Sequence, residues 1–106
     1  MAKFMIKASY TAEGTKGLLK EGGSSRKAAV GKMVKGLGGN LEAFYYAFGD
    51  ADVYAICDFP DAVTAAGAAL AINASGLVQN SMVALLTAED IDAACKKSVG
   101  YRPPGA

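Results

Sequence analysis

Residues 3 to 10, KFMIKASY, alternate along the chain: Phe4, Ile6 and Ala8 share one side, and Lys3, Met5, Lys7 and Ser9 the other. A period of two describes a strand with one dry face. Thr11 to Gly23 is rich in glycine and charge, which predicts a helical turn over 15–20 and a bend at Gly22-Gly23. From Ser24 the apolar spacing changes to Val30, Met33, Val34 and Leu37, with a capping serine before it and Gly38-Gly39 after it. That spacing predicts a helix.

Strand chemistry returns over 40–48, where Leu41, Ala43, Tyr45 and Ala47 alternate with Glu42, Phe44, Tyr46 and Phe48. Both sides of this strand are apolar, as expected of one covered on both faces. Gly49 to Asp52 forms a turn, and Val53, Ala55, Cys57 and Phe59 alternate with Tyr54, Ile56 and Asp58 in a third strand. Pro60-Asp61 ends it, because proline lacks a ladder donor and Asp61 offers an acceptor to the free amides of a helix start. The alanine- and glycine-rich helix that follows, 62–74, presents Gly67 and its neighbouring alanines as a surface for close approach to the sheet, and stops at Ser75-Gly76. A fourth strand spans 77–86. Thr87 opens a third helix with Ile91, Ala94 and Cys95 on one stripe.

The order β-α-β-β-α-β plus a C-terminal helix predicts an α+β fold of the ferredoxin-like kind: an antiparallel sheet with its helices on one face. Residues 1–99 make the expected single domain and 100–106 a tail whose two prolines and glycine cannot continue a helix. On this phasing the helix side holds Phe4, Ile6, Ala8, Leu41, Ala43 and Tyr45, with Val53, Ala55 and Cys57. The other face carries Lys3, Met5, Lys7, Glu42, Phe44 and Tyr46, with Phe48, Tyr54, Ile56 and Asp58. So many aromatic groups on an uncovered face predict association with a second copy of the chain.

Composition narrows the chemistry. At 106 residues and 52% hydrophobic content the chain can bury a core but leaves much of its surface exposed. Eleven basic against ten acidic residues leave a charge of +1, without the footprint of a nucleic-acid binder. No apolar signal core follows Met1-Ala2-Lys3, and no run reaches the roughly 18 apolar residues of a membrane span, so a soluble, cytoplasmic protein without a membrane partner is expected. The absence of histidine removes the commonest general base, zinc ligand and haem ligand together, so no metal or other cofactor is expected. Cys57 and Cys95 lie in apolar segments without CxxC spacing and read as buried free thiols. The glycine pairs follow no phosphate-binding pattern.

Several short motifs occur together: YTAEG at 10–14, LGGNLEAFYYAFGDADVYAI at 37–56, PD at 60–61, ASG at 74–76 and LLTAED at 85–90. In this order they resemble the small GYD domain family, over essentially the whole chain. One departure stands out. The family's Gly-x-Tyr-Asp signature occurs here as Gly49-Asp50-Ala51-Asp52, with Ala51 in the tyrosine's place, so any role of that tyrosine is absent. The family is similar to the dimeric α+β barrel superfamily of small isomerases, cofactor-free monooxygenases, haem enzymes and ligand-sensing domains. The resemblance therefore implies a dimeric α+β barrel, while the family itself has no settled activity.

Lys7 on a central strand, beside Tyr54 and Asp58 and one strand from Glu42 and Tyr46, forms the candidate ligand-binding cluster of the open face. Lys7, Tyr54 and Asp58 are its candidate catalytic groups. A lysine among aromatics and carboxylates can act in proton transfer or hold an anionic or enolisable oxygen. Arg26 and Asp50 form the alternative rim. Two functions stay open: binding or conversion of a small organic molecule without metal or haem, and a non-catalytic assembly or regulatory module whose sheet face is a subunit interface.

Overall fold

The computed structural model describes residues 1–106. Strand β1 (Ala2–Tyr10) is followed by helices α1 (Ala12–Glu21) and α2 (Gly23–Gly36), strands β2 (Asn40–Tyr46) and β3 (Val53–Phe59), helix α3 (Ala62–Ala74), strand β4 (Val78–Leu85) and helix α4 (Ala88–Cys95). The four strands form one sheet in the order β2-β3-β1-β4, with every neighbouring pair antiparallel. This is the ferredoxin-like α+β arrangement. Phe4, Ile6 and Ala8 of β1 and Val53, Ala55, Cys57 and Phe59 of β3 are buried toward the helices, in the alternation their sequences predict.

β2 departs from its expected phase. Leu41 lies opposite Cys57, but Ala43 lies opposite Ile56 and Phe44 opposite Ala55, so the register shifts between Leu41 and Ala43. The bulge at Glu42 inserts one residue, and every later side chain of the strand changes sides. Phe44 is buried and Tyr46 half-buried on the helix side, whereas Ala43 and Tyr45 face away with Ile56 and Tyr54. The expected placement of Ala43, Phe44, Tyr45 and Tyr46 is thereby reversed, while Leu41 and Glu42 keep theirs.

The segment after β1 is a full ten-residue helix, α1, in place of the single turn expected. The Thr11 hydroxyl caps it by accepting from the Gly14 amide. Gly14 is the close-approach glycine of the molecule: a Cβ there would collide with the Leu77 carbonyl oxygen, which already accepts from the Thr11 amide at 3.0 Å. Gly67 has open space where its Cβ would stand, so α3 reaches the sheet through Ala65 and Ala68 instead. Asp61 caps α3 as expected, accepting from the Thr64 amide at 2.7 Å, and the Thr64 side chain, together with that amide, holds its carboxyl below the usual range. α2 starts at Gly23 after Gly22, which offers no side-chain cap, so Ser24 lies inside the helix.

α4 opens with the reciprocal bonds of a capping box between Thr87 and Asp90, yet buries none of its residues. Cys95 is exposed, contrary to its reading as a buried thiol, because α4 is not seated deeply enough on the body to bury any of its residues. The chain extends 56 × 33 × 22 Å with a radius of gyration of 16.8 Å, against about 13 Å for a compact domain of this length.

Candidate functional site

The open-face residues separate into two groups. Lys3, not Lys7, binds the carboxylates: its Nζ pairs with Glu42 and lies 3.1 Å from Asp58 Oδ1, and these hydrogen bonds, led by Glu42, hold the ammonium above the usual lysine range. Lys7 lies opposite Tyr54 on β3 and Ser81 on β4. Lys7, Tyr54, Asp58 and Glu42 do share the open face, but Tyr46 is on the other side of the sheet. The bulge that removes it is the reason. Its hydroxyl donates to the Gly23 carbonyl at 3.1 Å and lies beside Tyr10, and burial, reinforced by Tyr10, pushes its pKa up to about 12. Asp52 secures a strand end, its carboxylate accepting from the Tyr10 amide at 2.8 Å and its amide donating to the Ala8 carbonyl at 2.8 Å. Asp50 stands in the exposed turn, while Ala51, in the signature tyrosine's place, is buried.

On the helix side α2 rests on β2, and α3 on β3 and β4. Between them a cavity of about 230 Å³ remains. Its floor is low because Ala8 and Ala55 occupy the middle of the sheet, with Phe44 and Tyr10 standing higher around them; Val30 and Met33 of α2 form its roof. Arg26 is the one charged side chain in the lining. Its Nη1 lies 3.8 Å from Glu21 Oε2, beyond hydrogen-bond distance, so the guanidinium donors are uncommitted to that carboxylate. A neighbouring hollow of about 370 Å³, walled by α1, shares Tyr10, Arg26, Met33, Ile72 and Val78 with the cavity.

Asn80 of β4 is the other strongly polar group of the lining. Its backbone amide donates to Asn73 Oδ1 at 2.8 Å, which identifies that Asn73 atom as the acceptor. Asn80 Nδ2 then donates to the same oxygen at 2.8 Å and to the Ala69 carbonyl at 3.1 Å, so the orientation of the Asn80 amide follows from its neighbours. Its Oδ1 is left buried with no donor. Such an orphaned acceptor costs about 1–3 kcal/mol. Neither Asn80 nor the cavity had a signal in the sequence: an asparagine in a strand is ordinary, and the hollow arises from small residues on two strands together with the gap between two helices. Arg26 was visible only as one partner of the alternative rim, and Asp50 is not among the residues lining the cavity with it.

No three His, Cys, Asp or Glu side chains come together to hold a metal ion. Cys57 is buried at the centre of the sheet, and burial, with Asp58 adding, pushes its thiol up to about 11, which suits packing and not nucleophilic attack.

The family model of the GYD domain matches residues 4–95. The chain belongs to the GYD domain family. The match runs from the first core residue of β1 to the end of α4, and so includes every strand and helix around the cavity. Neither a curated protein nor a solved structure matches the chain. No helix of this GYD-domain protein is long and apolar enough to cross a membrane.

Proposed function

We propose that this GYD-domain protein binds a small organic molecule in the cavity between the sheet and helices α2 and α3. The cavity itself carries the reading: a mainly apolar hollow of about 230 Å³ with a few convergent polar groups at its edge, the general form of a small-molecule site. It is small. An apolar cavity of about 150 Å³ is known to admit benzene, so one ring with substituents is the matching size. The open-face cluster of Lys7, Tyr54, Asp58 and Glu42 is the competing location, with half-exposed groups whose carboxylates are already engaged by Lys3.

The two locations are distinguished by thermal-shift and NMR titration of a library of one-ring metabolites. Ala8→Leu fills the floor of the cavity and Ala29→Leu its α2 wall beside Val30, and each should abolish binding, whereas Lys7→Met on the open face should leave it intact. Loss in Lys7→Met with retention in both cavity variants would transfer the site to the open face.

The open face supports a second, compatible role as the contact between two copies of the chain in a soluble homodimer of the α+β barrel kind. Tyr45, 71% exposed, lies directly opposite Tyr54, and Met5, Ile56 and Val83 extend an apolar surface that no helix of the same chain covers. In that assembly the cavity faces outward on each subunit. Binding and association then use opposite sides of the sheet.

A further inference from the structure

All 13 residues of α3 are uncharged, yet the helix is far from buried: Val63 is 82% and Leu70 71% exposed, and Ala66, Gly67 and Ala74 continue the same exposed row at helical spacing. A helix apolar on every side belongs in an interior. α4 also lacks a partner. Ala88, Ile91 and Cys95 share one of its sides, Leu86 precedes them, and all four are exposed. Beside α3 runs a groove of about 750 Å³, with Lys32, Met33 and Gly36 of α2 in one wall and Gly67, Ala68 and Ala71 of α3 in the other. We propose that α4 of a second copy docks in this groove, each chain giving one arm and receiving one. Such a reciprocal exchange closes on itself as a two-fold dimer.

Charge, shape and reach select this occupant. α2 carries Arg26, Lys27, Lys32 and Lys35 and no acid, whereas α4 carries Glu89, Asp90 and Asp92 and no base. Lys32 and Lys35 are exposed and pair with no carboxylate of their own chain. The two elements are thus complementary, which steers and registers a contact. A Cβ at Gly36 or at Gly67 would meet nothing within 4 Å, so both walls stand low enough for a helix to enter. Lengths agree as well: α4 rises about 12 Å, and the α2 wall from Ala29 to Gly36 about 11 Å.

The arm cannot lie lengthwise in its own groove. α3 sits mainly over β4, the edge strand that leads into α4, so α3 stands between the end of β4 and the groove. Leu86 and Thr87 are the whole link, spanning about 7 Å, against about 10 Å for the width of a helix. Two arms of this size make a contact at the small, transient end of the interface range, below roughly 1,200 Å². α4 is therefore free at micromolar concentration and seated in the submillimolar range. The inference does not depend on the cavity beneath being a binding site.

The test starts from the full chain carrying Tyr45→Asp, which lacks the open-face contact, so that failure of that contact and failure of this one are read apart. Sedimentation equilibrium should show a reversible submillimolar dimer that weakens with added salt. Lys32→Glu with Lys35→Glu, or Glu89→Lys with Asp92→Lys, should each weaken it about fivefold, and all four substitutions together should restore it, with circular dichroism unchanged throughout. Val63→Cys, Gly67→Cys and Ala71→Cys, made one at a time and spaced a turn apart along α3, then report contact with the native Cys95 under mild oxidation, Cys57 being buried. At least one should give a covalent dimer that Cys95→Ala abolishes. A dimer that survives Cys95→Ala places α3 against α3, and a bond within one chain places α4 on its own body; either overturns the proposal. So does a chain that stays monomeric, a charge reversal without effect, a fourfold variant that fails to recover association, or the absence of a covalent dimer from all three cysteine positions.

Discussion

Gly14 and Gly67 show how little a residue's identity says about the space around it. Both are helical glycines, but a Cβ at Gly14 would strike the Leu77 carbonyl, while Gly67 meets nothing within 4 Å. Gly14→Ala is therefore expected to lose about 1–3 kcal/mol in urea unfolding, since the obstacle is backbone and cannot swing aside. Gly67→Ala should gain about 0.5–1 kcal/mol by removing the flexibility of glycine from a helix interior. A reversal of the two signs would show that α1 does not seat on Leu77. Titration is the other residue-scale property. The Cys57 thiol is pushed up to about 11 from 9.0, and the Tyr46 hydroxyl up to about 12 from 10.0. The folded state holds both protons more tightly than the unfolded chain, so their stabilisation is whole below about pH 9 and is lost as pH rises through the folded values. Urea midpoints should fall between pH 8 and pH 10.5, and Cys57→Ala should flatten the early part of that fall. An identical slope in the variant would assign the loss elsewhere.

Strand β2 is where the element scale overrides the residue scale. LEAFYYAF is apolar in both phases, so alternation cannot say which set faces the helices, and one inserted residue at Glu42 decides it. Tyr46→Phe should cost about 1 kcal/mol through the lost bond to the Gly23 carbonyl, and Tyr46→Asp should unfold the chain by placing a charge on the helix side of the sheet. Tyr45→Asp should leave the monomer folded, because that side chain is 71% exposed. If Tyr45→Asp melts the fold while Tyr46→Asp does not, the bulge is misplaced. Helix α1 was obscured for a related reason: Gly14, Gly17 and Gly22 read as breakers, yet Gly14 serves a backbone contact and Gly22 the left-handed bend, φ 87°, between α1 and α2.

At the scale of the molecule, two surfaces remain without cover: the open sheet face and the projecting α4 with its tail. An isolated eight-residue helix is marginal in water, but α4 buries nothing in this chain, so removal of residues 87–106 should change the melting temperature of the remaining body by no more than about 2 °C. A larger drop would show that α4 packs in solution. The homodimer through the open face is checked by light scattering at micromolar concentration, where Tyr45→Asp should convert a dimer to a monomer of unchanged circular dichroism. A wild-type chain that is already monomeric would end that reading.

Apart from α1 and the phase of β2, the elements and their order were legible in the chain because each carries its own period or its own stop signals: alternation in β1 and β3, Asp61 and Thr87 as caps, and Gly38 and Gly76 in left-handed turns. Those are local properties, written within a few residues of where they act. The side of the sheet taken by Phe44 and Tyr46, the partnerless Asn80 oxygen and the hollow above Ala8 and Ala55 depend on what distant segments place against them. No window of sequence contains both partners, so these features arise only when the helices settle on the sheet and leave a gap between them.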